Sequence, residues 1–151
     1  MGTLQSSVAE WTGKRQTVVL FLSPVCPCSR YHEPALSKLA AQFPQVRFIG
    51  VYAGSESMTE QEARVHFEKA NLGFPVVRDG DLKIADFLGA HRTPHAFVFS
   101  ESGSTLYQGA VDDKRASEPS QRYLEDVLTS LQDGKTLQLT QTRPMGCRIE
   151  R

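Results

Sequence analysis

A nearly uninterrupted apolar segment, residues 17–22, constrains the fold of this chain more than any other feature of the sequence. Its β-branched and aromatic residues are typical of a strand that is buried on both faces, as in the centre of a parallel or mixed sheet. Pro24 ends the strand, and Pro27 suits the first turn of a helix, where a proline's missing N–H costs nothing. Cys26 is therefore expected at or near the N-cap of a helix that follows a central strand.

The remaining pattern alternates strands and helices and then forms a hairpin. Further strands are predicted over residues 46–53, 74–78 and 95–100, and helices over 27–42, 57–72, 82–88 and 123–131. The turn at 101–104 separates two strand-like runs, so these runs are expected to pair as an antiparallel hairpin. The sequence therefore predicts an α/β fold with a mixed central sheet flanked by helices.

The first two helices carry more detailed signals. In the first, apolar residues recur at four-residue spacing and are expected to face the core. They are Tyr31, Ala35, Leu39 and Phe43, with Leu36 beside them. Pro34 is expected to kink this helix. Ser57 and Glu60 form a candidate capping box for the second helix, which Gly73 is expected to end.

Size and charge exclude several functions. With 151 residues, of which 40% are hydrophobic, the chain can bury the core of one domain. It has 17 basic and 17 acidic residues, so there is no net field to attract nucleic acid. No apolar run approaches the roughly 20 residues that a membrane span needs. We therefore expect no nucleic-acid partner and no membrane span in this chain.

Three cysteines, Cys26, Cys28 and Cys147, are the main candidates for chemistry. An odd number argues against a purely structural disulfide framework. A cysteine on the first turn of a helix lies where unpaired backbone N–H groups and the helix dipole favour the thiolate, which is the reactive form. Because Cys26 and Cys28 flank a proline at such a junction, we interpret them as a redox site rather than as small core residues.

Four features together resemble the thioredoxin-like superfamily. They are the run V-V-L-F-L-S-P-V-C-P-C-S, Pro34, the Thr93-Pro94 step and the hairpin F-V-F-S-E-S-G-S-T-L-Y-Q-G. Within that superfamily the chain is most similar to the redoxin branch, which is related to peroxiredoxins and to membrane-anchored thioredoxin-like reductases. The resemblance implies a thioredoxin-like domain over residues 1–133, followed by a polar C-terminal tail, 134–151, that carries Cys147.

The same resemblance implies an enzyme, a thiol–disulfide oxidoreductase with no cofactor. Its expected partners are protein or small-molecule thiols and disulfides, together with an electron donor that the sequence does not identify. The compartment is not identified either, and a bacterial extracytoplasmic (periplasmic) location is favoured slightly over the cytoplasm.

The resemblance also assigns roles to residues. Cys26 takes the position of the nucleophile, and Thr93 and Pro94 take the position of the substrate-binding step, whose proline is cis in the family. Pro27 and Ser29 lie at the start of the active-site helix. Ser29 is a departure from the family, because a C-x-x-C protein keeps its resolving cysteine at that position.

The thiol that resolves Cys26 is left open by the sequence. Cys28 is one alternative, although a C-x-C disulfide would close a small ring that is easily reduced. Cys147 is another, because an extended tail of 14 residues can reach roughly 45 Å; an external thiol is the third. A peroxidase is only a minor alternative. Peroxiredoxins carry P-x-x-x-T-x-x-C before the nucleophile, and this chain has Val19 in place of the proline and Ser23 in place of the threonine.

A different class of function is thiolate-based metal binding or delivery. Cys26, Cys28, His32 and Cys147 form the candidate ligand set, and copper as Cu(I) is the candidate ion, because thiolates select soft metals. His32 follows Cys28 by one helical turn. The other polar residues near these motifs are expected to be solvated; they are His91, His95, Asp112, Asp113, Arg143, Arg148 and Arg151, and the same simpler interpretation applies to His32.

Overall fold

The computed structural model describes residues 15–54 and 58–151 and contains a five-stranded mixed sheet. The strands are β1 (Thr17–Leu22), β2 (Arg47–Ala53), β3 (Val76–Asp79), β4 (Arg92–Thr93), β5 (His95–Phe99), β6 (Thr105–Gly109) and β7 (Cys147–Arg148). The helices are α1 (Pro27–Gln42), α2 (Glu60–Ala70), α3 (Lys83–Leu88) and α4 (Tyr123–Gln132). The sheet order is β3-β2-β1-β5-β6, and β4 pairs separately with β7.

Strand β1 lies at the centre of the sheet. It pairs in parallel with β2 and antiparallel with β5, and all six of its residues are buried. Its alternate side chains enter two apolar clusters, one on each face of the sheet. Leu20 and Leu22 join the cluster that contains Leu36 of α1 and Leu128 of α4, whereas the opposite cluster contains Phe21. The predicted strand that is buried on both faces is confirmed, as is the mixed α/β sheet.

Helix α1 buries a different face from the one predicted. Tyr31 is 46% exposed and Ala35 is exposed as well, so the expected stripe is wrong over its first two positions. The buried face runs through Ser29, His32, Leu36, Leu39 and the C-cap residue Phe43. The helix begins at Pro27 and continues through Pro34 to Gln42. The polar side chain of His32 therefore lies on the inner face, where the spacing of apolar residues had predicted Tyr31.

Helix α2 is capped two residues later than expected. Ser57, the predicted N-cap, lies outside the described residues, and the capping box is formed by Thr59 and Glu62. The Glu62 N–H donates to Thr59 Oγ1 over 3.1 Å, and the Thr59 N–H donates to Glu62 Oε2 over 3.0 Å. The helix ends at Ala70, and the left-handed residue Asn71 caps it, so it does not reach Gly73. The alternative box was hidden because two Ser/Thr–Glu pairs overlap in the sequence.

The C-terminal segment, residues 134–151, folds back over the domain. It first runs beside β6, where the Thr142 N–H donates to the Gln108 carbonyl over 3.1 Å. The hydroxyl groups of Tyr107 and Thr142 form a hydrogen bond of 2.6 Å. The segment then crosses to β4 and buries Ile149 in the apolar cluster that contains Phe21. Among the described helices, none is both long and apolar enough to span a bilayer.

Candidate active site

Cys26 caps the first turn of α1, directly after the loop that leaves β1. Its Sγ accepts a hydrogen bond from the Ser29 N–H over 3.4 Å, and the residue is only 3% exposed. Pro27 is the first helical residue, so it removes one of the N–H groups that the first turn would otherwise leave unpaired. The sulfur thus faces the positive end of the helix dipole, which favours a thiolate there whenever Cys26 is reduced.

Ser29 fastens the loop between β1 and α1. It is fully buried, and its Oγ accepts a hydrogen bond from the Ser23 N–H over 2.9 Å. The position that holds the second cysteine of a C-x-x-C motif therefore has a structural hydroxyl in this chain. Disulfide chemistry at Cys26 must use a sulfur from elsewhere.

The Thr93-Pro94 step lies beside Cys26, with the Thr93 carbonyl in contact with the sulfur. The peptide bond between Thr93 and Pro94 is cis, and the Thr93 carbonyl oxygen lies 3.3 Å from Cys26 Sγ. Thr93 belongs to β4, a strand of two residues whose only described partner strand is β7. The backbone of Thr93 is therefore placed to bind an extended segment that brings another sulfur to Cys26.

Cys147 is the sulfur that occupies this place. It forms a disulfide with Cys26 across 121 residues, with the two Cα atoms 6.0 Å apart. In the antiparallel β4–β7 pair, Cys147 lies opposite Thr93 and Arg148 lies opposite Arg92. Of the alternatives that the sequence left open for pairing with Cys26, the structure contains the long-range one.

Cys28 is a free, half-buried cysteine beside this disulfide. The three sulfur atoms of Cys26, Cys28 and Cys147 lie within 4.8 Å of one another. While Cys26 and Cys147 are bonded to each other, only Cys28 can offer a thiolate.

His32 does not join the sulfur cluster, and the expectation that it is solvated is wrong. It is 2% exposed; its Nδ1 lies 2.7 Å from the Cys28 carbonyl oxygen and its Nε2 lies 3.0 Å from Asp112 Oδ2. A carbonyl can only accept, so Nδ1 carries a hydrogen.

Asp112 is also buried, contrary to expectation, and its Oδ1 accepts a hydrogen bond from the Lys114 N–H over 2.9 Å. Sequence reasoning missed this pair because its members are 80 residues apart. The available signal was the position of His32 one turn before Leu36, on the face that packs inward. The pair fixes the first two turns of α1, and with them the Cys28 carbonyl, against the loop after β6.

His95 follows the cis proline and is likewise buried rather than solvated. Its Nδ1 accepts a hydrogen bond from the His91 N–H over 3.3 Å, and its ring stacks on Phe97. Burial, with a smaller contribution from the nearby His91, lowers the pKa of His95 from 6.5 to about 4. The ring is therefore neutral at physiological pH and supports the loop behind Thr93.

The sequence as a whole matches one protein family. The family is described as a domain of unknown function, DUF6436, and its model matches residues 2–150. The chain belongs to this family. No curated protein is detectably similar to this DUF6436 chain in sequence.

Solved structures resemble the DUF6436 chain over most of its length. A hypothetical protein from Sinorhizobium meliloti is 25% identical, with 94% of this chain and 82% of that chain covered and a TM-score of 0.81. A secreted disulfide oxidoreductase of Mycobacterium tuberculosis, homologous to DsbE of Escherichia coli, is 24% identical over 79% of this chain and 84% of that chain, with a TM-score of 0.65.

A third structure, a thioredoxin-like protein in its oxidised form, is 14% identical over 83% of this chain and 84% of that chain, with a TM-score of 0.68. At these identities the likeness concerns the fold. The thioredoxin-like fold predicted from the sequence is confirmed.

Proposed function

We propose that the protein is a thiol–disulfide oxidoreductase in which Cys26 attacks a substrate disulfide and Cys147 resolves the product. The observation that carries the proposal is the position of Cys26. It lies at a helix N-terminus, 3.3 Å from the carbonyl beside a cis proline, and is bonded to a cysteine that lies on a separate segment of chain. The structural similarity to a secreted disulfide oxidoreductase supports the same chemistry.

The exchange proceeds in two steps that need no cofactor. In the first, the Cys26 thiolate attacks one sulfur of the substrate disulfide, forms a mixed disulfide and releases the other substrate sulfur as a thiolate, which takes up a proton. In the second, the Cys147 thiolate attacks Cys26 Sγ and releases the remaining substrate thiol. The substrate disulfide gains two electrons, and the Cys26–Cys147 dithiol loses them. An external dithiol of the electron donor restores the reduced protein by the reverse sequence.

The helix start explains why Cys26 rather than Cys147 is the attacking thiol. Cys26 Sγ already accepts a hydrogen bond from the Ser29 N–H and lies at the positive end of α1. Cys147 lies on a strand of two residues and does not begin a helix. A thiolate is therefore more stable at Cys26 than at Cys147.

Reduction of a disulfide reporter such as insulin, with a dithiol as donor, tests the proposal. Cys26→Ser is expected to lose activity, whereas Cys147→Ser is expected to accumulate a mixed disulfide on Cys26 and to turn over slowly. Cys28→Ser is the matched control, because it removes a neighbouring thiol without removing either reacting cysteine. Full activity of Cys26→Ser would overturn the proposal.

An extracytoplasmic location accompanies this proposal. A long-range disulfide persists in oxidising compartments and is rare in the cytosol. The similar protein from Mycobacterium tuberculosis is described as secreted. Fractionation of the native bacterium, with the protein recovered outside the cytoplasm, is the expected result, and recovery in the cytosolic fraction would contradict it.

Copper binding is the second candidate function, and one observation favours it. The Cys26, Cys28 and Cys147 sulfurs lie within 4.8 Å of one another, which suits a soft ion once the disulfide is reduced. His32 is no longer part of the ligand set, because both of its ring nitrogens contact other groups. Titration of the reduced protein with Cu(I) against a competing chelator tests the idea, and the lack of stoichiometric binding would remove it.

A further inference from the structure

The C-terminal segment brings a cysteine to Cys26 in the way that a peptide substrate would have to bring one. In this structure, the sulfur bonded to Cys26 approaches beside Thr93, whose carbonyl oxygen lies 3.3 Å from Cys26 Sγ. Cys147 reaches it there through an antiparallel pair with β4, and the Ile149 N–H continues the pairing by donating to the His91 carbonyl over 3.0 Å. The segment is held by backbone hydrogen bonds in addition to the disulfide.

The residue before Cys147 must be small. Gly146 has φ 142°, and a Cβ at this position would overlap the Thr93 carbonyl oxygen. Since Thr93 lies directly beside the Cys26 sulfur, a larger residue would push the incoming sulfur away. The close approach of the two backbones thus selects glycine at the position that precedes the reacting cysteine.

The residue two positions after Cys147 packs into an apolar site. Ile149 is 7% exposed and packs in the cluster with Phe21, Ile84 and Ala90, whereas Arg148 and Glu150 are exposed. This alternation is that of an extended strand, in which every second side chain faces the domain. The Cys147 and Ile149 side chains therefore face the domain, and the Arg151 side chain follows on the same side with hydrogen bonds to Asp86 Oδ1 and the Ala90 carbonyl.

We propose that residues 146–149 occupy the substrate groove as a built-in competitor, and that the groove takes an extended protein segment with the pattern glycine, cysteine, any residue, large aliphatic. The inference rests on the proposed function of Cys26 and names its substrate class. Only one segment can pair with Thr93 at a time. A substrate segment must displace the C-terminal segment to form its mixed disulfide with Cys26. When Cys147 returns to attack Cys26 Sγ, its own segment takes back the backbone pairing and expels the substrate thiol.

The test uses the full-length Cys28→Ser/Cys147→Ser protein, in which Cys26 is the only thiol, with and without Ile149→Asp. The probe is a synthetic peptide of residues 143–151 whose cysteine carries thionitrobenzoate in a disulfide. Attack by Cys26 transfers the peptide to Cys26 and releases coloured thionitrobenzoate, which gives the rate. Matched peptides carry Gly146→Val or Ile149→Asp, and a thionitrobenzoate disulfide of a small thiol reports the intrinsic reactivity of Cys26.

Two results are expected. The native peptide reacts about tenfold or more faster than either altered peptide, because Ile149→Asp loses the burial of the isoleucine side chain and Gly146→Val places a side chain against the Thr93 carbonyl oxygen. In addition, Ile149→Asp in the protein accelerates the native peptide, because the competitor is released, whereas Glu150→Gln at the neighbouring exposed position does not.

Equal rates for the three peptides, with normal reactivity toward the small disulfide, would overturn the inference and leave the proposed function intact. Failure of Cys26 to react even with the small disulfide would overturn both. A second variant avoids dependence on the cysteine-depleted protein. In the full-length protein with Gly146→Val, mild oxidation is expected to leave the Cys26–Cys147 disulfide unformed, and its normal formation would contradict the role given to Gly146.

Discussion

Reduction of the Cys26–Cys147 disulfide is expected to lower the free energy of unfolding by a large amount. The bond closes a loop of 121 residues. The chain-entropy relation gives about 5 kcal/mol for a loop of this length at 25 °C, and measured disulfides more often contribute about 2–4 kcal/mol. The hydrogen bonds of Thr142 and the burial of Ile149 do not involve the disulfide, so we expect the folded state to keep them after reduction. The effect therefore arises mainly from the unfolded chain.

Urea unfolding followed by far-UV circular dichroism measures this difference. With a slope of about 2 kcal/mol per molar urea, the oxidised protein should unfold at about 1–2 M higher urea than the reduced one. Cys147→Ser should match the reduced protein under oxidising conditions, and Cys28→Ser should keep the full difference between the two redox forms. A bond between Cys26 and Cys28 would instead close a minimal loop worth about 1–2 kcal/mol. Loss of the difference in Cys28→Ser would therefore refute the assignment of the disulfide.

Three further predictions concern the groups around the site. Burial lowers the pKa of His95 from 6.5 to about 4, so the unfolded chain binds a proton more tightly than the folded protein does. The free energy of unfolding is therefore highest above pH 6.5 and falls by about 3 kcal/mol as the pH drops to 4. Unfolding measured at both pH values should show this loss in the native protein and not in His95→Gln. Asp112→Ala leaves the buried His32 Nε2 without its partner and should cost about 1–3 kcal/mol in urea unfolding, whereas a loss of stability within the error of the measurement would mean that the pair does not form. Tyr107→Phe removes the hydroxyl that joins the Ala110 carbonyl and Thr142, and should cost about 1–3 kcal/mol; an unchanged unfolding midpoint would contradict the anchoring of the C-terminal segment there.

The parts of the site that depend on local sequence were predictable. The buried strand before Cys26 follows from a continuous β-branched and aromatic run, and the N-cap position follows from Pro27, because both signals act over a few residues. The hairpin of β5 and β6 is likewise encoded by the turn between two strand-like runs. Local periodicity and turn chemistry were sufficient for these elements.

Other parts depend on contacts between distant segments and could not be derived. The pairing of Cys147 with Cys26 requires the path of the segment 134–151, and nothing in the local pattern shows that Gly146 passes over the Thr93 carbonyl. The inner face of α1 was misassigned because Asp112, which makes burial of His32 favourable, lies on a loop 80 residues away. Polar side chains on an inner face are visible in a sequence only when their partners are known.

The central claim is that Cys26 attacks first and Cys147 resolves, and rapid quenching of a single turnover tests it most directly. The reduced wild-type protein is mixed with a peptide disulfide, stopped with acid at successive times, and digested for non-reducing peptide mapping. The expected order is a mixed disulfide on Cys26 at early times, replaced by the Cys26–Cys147 disulfide as the substrate thiol is released. A first mixed disulfide on Cys28 or Cys147, or a final bond between Cys26 and Cys28, would contradict the claim.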